Sequence, residues 1–192
     1  MASIIGTRTE QNLLASFAGE SQARSRYTYF ATVARAEGYE QIAATFAETA
    51  EQELQHAGIF FGYLEGGMAT ITASYQAGIV GTTEQNLAEA AAGEYEEWHD
   101  LYAEGARVAD EEGFAEVAES FRQIARVEVE HERRYRKLLN RLMAESFFHR
   151  DEKTEWQCRN CGYVTGESHL SPEFCPACKV SQAYFEPKRT NY

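Results

Sequence analysis

The chain has 192 residues, with 30 acidic against 18 basic side chains and a formal net charge of -12 at pH 7, which argues against nucleic acid or an anionic membrane surface as a partner. A hydrophobic content of 44% with 25% charged residues is that of a soluble globular protein, and the length allows one ordinary domain plus a small one. No apolar run approaches the roughly 18 residues of a membrane span, and the opening residues lack the apolar stretch of a secretory signal, so the expected compartment is the cytoplasm.

Thr7-Arg-Thr-Glu10 has the pattern of a capping box, and a first helix is expected from there to about Gly38. Its apolar stripe passes through Leu13, Phe17, Tyr27 and Ala31, and Glu20 falls inside that stripe. A second helix over about residues 40–64 carries Ala43, Phe46, Ala50, Ala57 and Phe60, with Glu53 and His56 in the same row, and stops at Gly66-Gly67. Residues 66–82, rich in Gly, Thr, Ala and Ser and without helical period, read as one long crossover. Thr82-Thr-Glu-Gln85 caps a third helix through Leu87, Ala91, Glu94, Trp98 and Leu101, ending near Gly113. A fourth, over about residues 114–146, sets Glu128 and His131 among Val117, Phe121, Ile124, Tyr135, Leu138 and Leu142.

A carboxylate on the core face of a helix costs several kcal/mol unless something pairs with it. A single Glu-x-x-His unit there would read as a buried salt bridge, but Glu53-Leu-Gln-His56 and Glu128-Val-Glu-His131 make two. Residues three apart on a helix point the same way, so each pair can grip one ion. Ferritin-like di-iron bundles combine two such units with a Glu from each of the other two helices. Glu20 and Glu94 supply those.

The four helices also form an internal repeat. Tyr39–Phe46 leads to Glu53 and His56 as Phe114–Phe121 leads to Glu128 and His131, at a constant offset of 75. Glu20 matches Glu94 at an offset of 74, and the missing residue is expected in the turn between helices. The result is a site of near two-fold symmetry. Oxygen with imidazole suits iron or manganese, and zinc less. Glu53 and Glu128 are the expected bridges between two ions, with Glu20 and Glu94 as terminal ligands. Glu97 faces Ala23 or Gln22 in the repeat, so by the residues alone it is equally a seventh ligand or a solvated surface carboxylate. Tyr27 and Tyr102 lie where they could orient carboxylates, although core packing is the commoner role for such tyrosines. His99, His149 and His169 read as surface or linker residues.

All three prolines and all four cysteines follow residue 148, which sets a boundary between residues 1–148 and 149–192. Cys158-Arg-Asn-Cys161 and Cys175-Pro-Ala-Cys178 are two metal-binding knuckles separated by thirteen residues. A segment this short needs the ion to fold. Spacing alone allows a zinc ribbon as readily as an iron centre. Fusion to a redox bundle favours iron, because Fe(Cys)4 passes single electrons and zinc does not.

Together these residues resemble the rubrerythrin family, a mainly α, ferritin-like four-helix bundle with one long crossover followed by a small rubredoxin-like four-cysteine metal domain. The resemblance rests on Glu20, Glu53, His56, Glu94, Glu97, Glu128 and His131, on the four cysteines, and on the Cys-Gly-Tyr and Cys-Pro-x-Cys knuckles. It implies three irons per chain and makes Glu97 a ligand that one iron exchanges for His56 on reduction. It further implies reduction of hydrogen peroxide to water, with electrons delivered through Fe(Cys)4 from a reductase, rubredoxin, ferredoxin or NAD(P)H-linked donor. The separation of the two metal sites along the fourth helix leads to the expectation of a head-to-tail homodimer. A ferritin-like ferroxidase that handles iron is the rival reading, and the four-cysteine domain is what storage leaves unexplained.

Overall fold

The computed structural model describes residues 3–190; residues 1–2 and 191–192, the outer ends of the two expected segments, lie outside the described residues. Helices α1 (Arg8–Ala36), α2 (Glu40–Gly62), α3 (Thr83–Glu96), α4 (Tyr102–Glu111) and α5 (Ala115–Met143) build the bundle, with α3 and α4 joined by a π-helical turn, Glu97–Leu101. The second expected capping box forms, whereas at the first Glu10 passes over the Thr7 amide, which bonds to Ile4, and takes the amide before it. The Thr7 hydroxyl accepts from the Glu10 amide at 3.0 Å while Glu10 accepts from the Gly6 amide at 2.7 Å, and Thr82 and Gln85 exchange bonds at 3.3 and 3.0 Å. The repeat extends to the helix ends. Gly38 and Gly113 adopt φ of +85° and +84°, and the following amides of Tyr39 and Phe114 bond back to Ala34 and Ala109, each at 2.8 Å.

The third helix departs from the expectation of one regular element. The π turn inserts a residue, so Leu101, expected in the core stripe, is 51% exposed and Tyr102 is buried in its place. The offset of the repeat therefore changes inside the helix, not in the turn after it. Glu20 and Glu94 are 74 apart, and Tyr27 and Tyr102 are already 75 apart.

Two apolar clusters plug the bundle. One gathers Tyr27, Phe30, Phe46, Leu87 and Tyr135; the other gathers Leu13, Phe60, Tyr102, Phe121 and Ile124. The buried acids lie between them, so the polar layer is closed on two sides by aromatic packing. Residues 68–82 form no helix or strand and cross the bundle between α2 and α3, as expected.

The C-terminal segment holds two small antiparallel sheets, β1 (His149–Thr154) with β3 (Ser168–Leu170) and β2 (Trp156–Cys158) with β4 (Phe185–Pro187). Trp156, Cys158, Cys175 and Phe185 make its core. It seats on the bundle end where α2 begins and α5 finishes. There Tyr39 meets the rings of Phe147 and Phe148 at 5.3 and 6.1 Å, and Ala183 lies close to Gly38.

Candidate metal centres

The periodicity that placed six polar residues on core faces brings them into one layer, which Glu97 joins. Glu20 comes from α1, Glu53 and His56 from α2, Glu94 from α3, Glu97 from the π turn, and Glu128 and His131 from α5. The carboxylates of Glu20, Glu53, Glu94 and Glu128 are fully buried, and Glu97 is 9% exposed. His56 Nδ1 lies 2.9 Å from Glu128, 3.0 Å from Glu53 and 3.7 Å from Glu20. His131 Nδ1 lies 2.7 Å from Glu128, 3.2 Å from Glu53 and 3.5 Å from Glu94. The donors thus fall into two groups, Glu20–Glu53–His56–Glu128 and Glu53–Glu94–Glu128–His131, which share Glu53 and Glu128.

This donor set fits two ions. One oxygen each of Glu20, Glu53 and Glu94, both oxygens of Glu128, and His131 Nδ1 are buried without a hydrogen-bond partner. So many orphaned acceptors in one layer are costly unless cations satisfy them. Without ions the layer holds protons instead. Burial, then Glu53, raises the Glu20 carboxyl well above the carboxylate range, and the same two causes push Glu94 up to about 8. Burial followed by Glu94 raises Glu97. Burial would also raise Glu53, but His131 and His56 outweigh it and bring it down to about 2. Burial would lower His56, yet Glu128, Glu20 and Glu53 raise it to about 12. Ion binding must therefore release protons.

The expected tyrosines both reach the layer. Tyr27 Oη donates to Glu94 Oε1 at 2.6 Å, and Tyr102 Oη donates to Glu20 Oε1, so each half of the repeat holds the other half's carboxylate. Glu97 is buried beside the two groups but belongs to neither. It has no counterpart in α1 because the π turn that begins at Glu97 has none. His99 is half exposed beside Asp100, and His149 and His169 stack on each other in the sheet at 6.4 Å, away from the layer.

Sequence reasoning missed Gln52. Its side-chain Oε1 sits 2.9 Å from His131 Nε2, which fixes that imidazole with Nδ1 facing the acids. The equivalent of Gln52 at offset 75 is Val127, so His56 has no such brace. That difference in the repeat was the available signal.

In the C-terminal segment the four cysteine sulfurs lie within 4.8 Å of one another, with Cys158–Cys178 at 3.8 Å and Cys161–Cys175 at 3.6 Å. A tetrahedral ion with metal–sulfur bonds of ~2.3 Å places its sulfurs about 3.8 Å apart. Each knuckle closes through a left-handed residue, Gly162 at φ +79° and Lys179 at φ +68°. Their amides bond to the carbonyls of Cys158 and Cys175, both at 2.9 Å. The Asn160 side chain and the Val180 amide lower the Cys178 thiol to about 6.

Comparison with known proteins agrees with both centres. Residues 11–139 match the family model for rubrerythrin, and residues 156–186 match that for the rubredoxin-like domain of rubrerythrin. A rubrerythrin of Porphyromonas gingivalis is 63% identical over 99% of this chain and 94% of its own length. One of Nitratidesulfovibrio vulgaris is 47% identical over 97% of each chain. A solved structure of nigerythrin in a mixed-valence state is 32% identical, covering 96% of this chain and 88% of its own, with a TM-score of 0.63. A Desulfovibrio desulfuricans bacterioferritin, 22% identical over 71% of this chain and 81% of its own with a TM-score of 0.63, shares the fold.

Proposed function

The chain belongs to the rubrerythrin family of di-iron oxidoreductases, and on that premise we propose that it is a non-haem peroxidase reducing hydrogen peroxide to water. The observation that carries the reading is the pairing of a buried seven-residue acid and imidazole layer with a four-cysteine centre on the same chain.

Glu53 and Glu128 are the bridging ligands in this reading, since each offers an oxygen to both groups. Glu20 with His56 and Glu94 with His131 would complete the two positions, with Glu97 the ligand that exchanges with His56. Two irons held there would supply the two electrons that reduction of peroxide requires. The protein's part is to hold and shield. Tyr27 and Tyr102 keep Glu94 and Glu20 from swinging away, and the aromatic clusters on either side keep bulk water out of the layer. Glu97, the most exposed of the acids, is the carboxyl able to move and to hand a proton from Oε to the departing oxygen.

An iron held by Cys158, Cys161, Cys175 and Cys178 would pass electrons from a reductase, rubredoxin, ferredoxin or NAD(P)H-linked donor. The four-cysteine domain seats beyond Leu138, and the helical rise from His131 to Arg141 alone is about 15 Å. A head-to-tail homodimer in the cytoplasm brings one subunit's cysteine centre to the other's acid layer. The rival ferroxidase reading leaves that domain without a task. Metal analysis with activity tests the proposal: three irons per chain with peroxide turnover are expected, and full activity with zinc in the bundle would refute it.

A further inference from the structure

Between α1, the crossover and the π turn lies a cavity of about 280 Å³. Of the seven acid and imidazole residues only Glu97 lines it, and Tyr102 stands beside Glu97. The cavity is therefore the approach to the layer from the Glu97 side. Hydrogen peroxide needs far less room, since a water's share of liquid volume is roughly 30 Å³. The volume is instead close to the lower end, about 300 Å³, of pockets that take small organic ligands.

The seating of the cavity's roof has a visible cause in the sequence. Gly19 and Gly93 precede Glu20 and Glu94 at the same offset of 74. A Gly inside a helix costs about 1 kcal/mol relative to Ala. Here the missing side chain of Gly93 lets the crossover lie close over α3, while at Gly19 it passes at ordinary contact distance. A Cβ on Gly19 would stand 3.7 Å from the Tyr75 ring, and one on Gly93 would stand 3.0 Å from Gln76 Oε1. Arg26 pins that roof, donating to Gln76 at 3.0 Å and to Glu89 at 2.9 Å, so its charge is engaged in the wall. Ala15, Ala73 and Leu101 give the cavity apolar walls, while Glu97 and Tyr102 give it a polar end.

We propose that this cavity binds the alkyl group of small organic hydroperoxides, making them substrates beside hydrogen peroxide; this rests on the peroxidase reading above. The neutral R group lies against Ala15, Ala73 and Leu101, and the O–OH end points past Glu97. Breaking the O–O bond to give an alcohol and a water takes two protons and two electrons, and irons held in the layer would supply the electrons.

The test uses the full iron-loaded protein with tert-butyl hydroperoxide and hydrogen peroxide, each with the same reductant. Both should be reduced. In Ala73→Phe, which fills the roof, the ratio of kcat/KM for the organic substrate to that for hydrogen peroxide should fall at least about tenfold. Independently of turnover, unreactive tert-butanol titrated into the protein should shift the methyl NMR signals of Ala15 and Ala73, and Ala73→Phe should weaken the Ala15 shift. Hydrogen peroxide turnover without any tert-butyl hydroperoxide turnover, or an unchanged ratio in Ala73→Phe, overturns the proposal. If neither peroxide is reduced the peroxidase reading fails, and absent tert-butanol shifts then overturn the cavity's assignment as well.

Discussion

His131 Nε2 lies 2.9 Å from Gln52 Oε1, and the residue two-fold related to Gln52 is Val127, whose side chain cannot accept a hydrogen bond. The two imidazoles of an otherwise symmetric layer are therefore held differently. Loss of an outer hydrogen-bond partner typically costs 10–100-fold in metal affinity. Gln52→Leu should weaken one of two metal-binding steps by about that factor and leave the other nearly intact. Cobalt titration followed by visible absorption reads both steps. Equal weakening of both, or of neither, would contradict the assigned role of Gln52.

Removing the ions should change how stability depends on pH. An acid whose folded pKa is raised favours folding only while protonated. Its contribution is whole below its ordinary value of 4.5 and is lost as pH rises through the folded value, about 8 for Glu94, which burial and then Glu53 hold there. Glu20 and Glu97 shift in the same direction. The contribution of His56, raised from 6.5 to about 12 by its three carboxylate neighbours against burial, is also whole below its ordinary value and declines above it. Glu53, at about 2, loses its contribution only in strong acid. Metal-free protein should thus melt at a lower temperature at pH 9 than at pH 5, by roughly 10 °C, taking 2–4 °C per kcal/mol. Calorimetry at the two pH values checks this, and a higher Tm at pH 9 would reverse the sign argued here.

Glu53→Ala and Glu128→Ala should each abolish binding of both ions, because each residue belongs to both donor groups. The bundle itself should survive, since one fewer buried acid reduces repulsion in the layer. Metal analysis together with circular dichroism separates the two effects. One ion retained at full occupancy in either variant would refute the bridging assignment.

The head-to-tail dimer predicts electron transfer between subunits. A mixed dimer of one Cys158→Ser chain and one Glu128→Ala chain keeps its intact cysteine centre and its intact bundle site on different chains. Peroxide should reoxidise that cysteine-bound iron rapidly in stopped-flow absorption. Slow or absent reoxidation in verified heterodimers would rule the route out.

Much of the site could be read from the chain because helical periodicity makes a buried acid conspicuous. Glu20, Glu53, Glu94 and Glu128 interrupt apolar stripes, and the structure buries all four. The π turn was not read, because an inserted residue inside a helix carries no Gly or Pro to mark it. The two offsets pointed to the turn between helices for the extra residue, and only the pairing of Tyr102 with Glu20 puts it at Glu97–Leu101. Gln52 was passed over because its role depends on how α2 and α5 are rotated against each other. The cavity beside Glu97 depends on the path of a crossover without periodicity, which no pattern in residues 68–82 specifies.

In the function proposed above, the acid layer carries two irons that reduce peroxide with electrons fed through the cysteine centre. The most direct test is anaerobic. Dithionite-reduced protein with three irons per chain, freed of excess reductant, is mixed with one and a half equivalents of hydrogen peroxide, which match the three electrons held. The account predicts that peroxide disappears within the mixing experiment and that the red absorption of oxidised Fe(Cys)4 returns in step, with no dioxygen evolved. Peroxide that persists beside fully ferrous protein, or that disappears equally fast with zinc in the bundle, would contradict it.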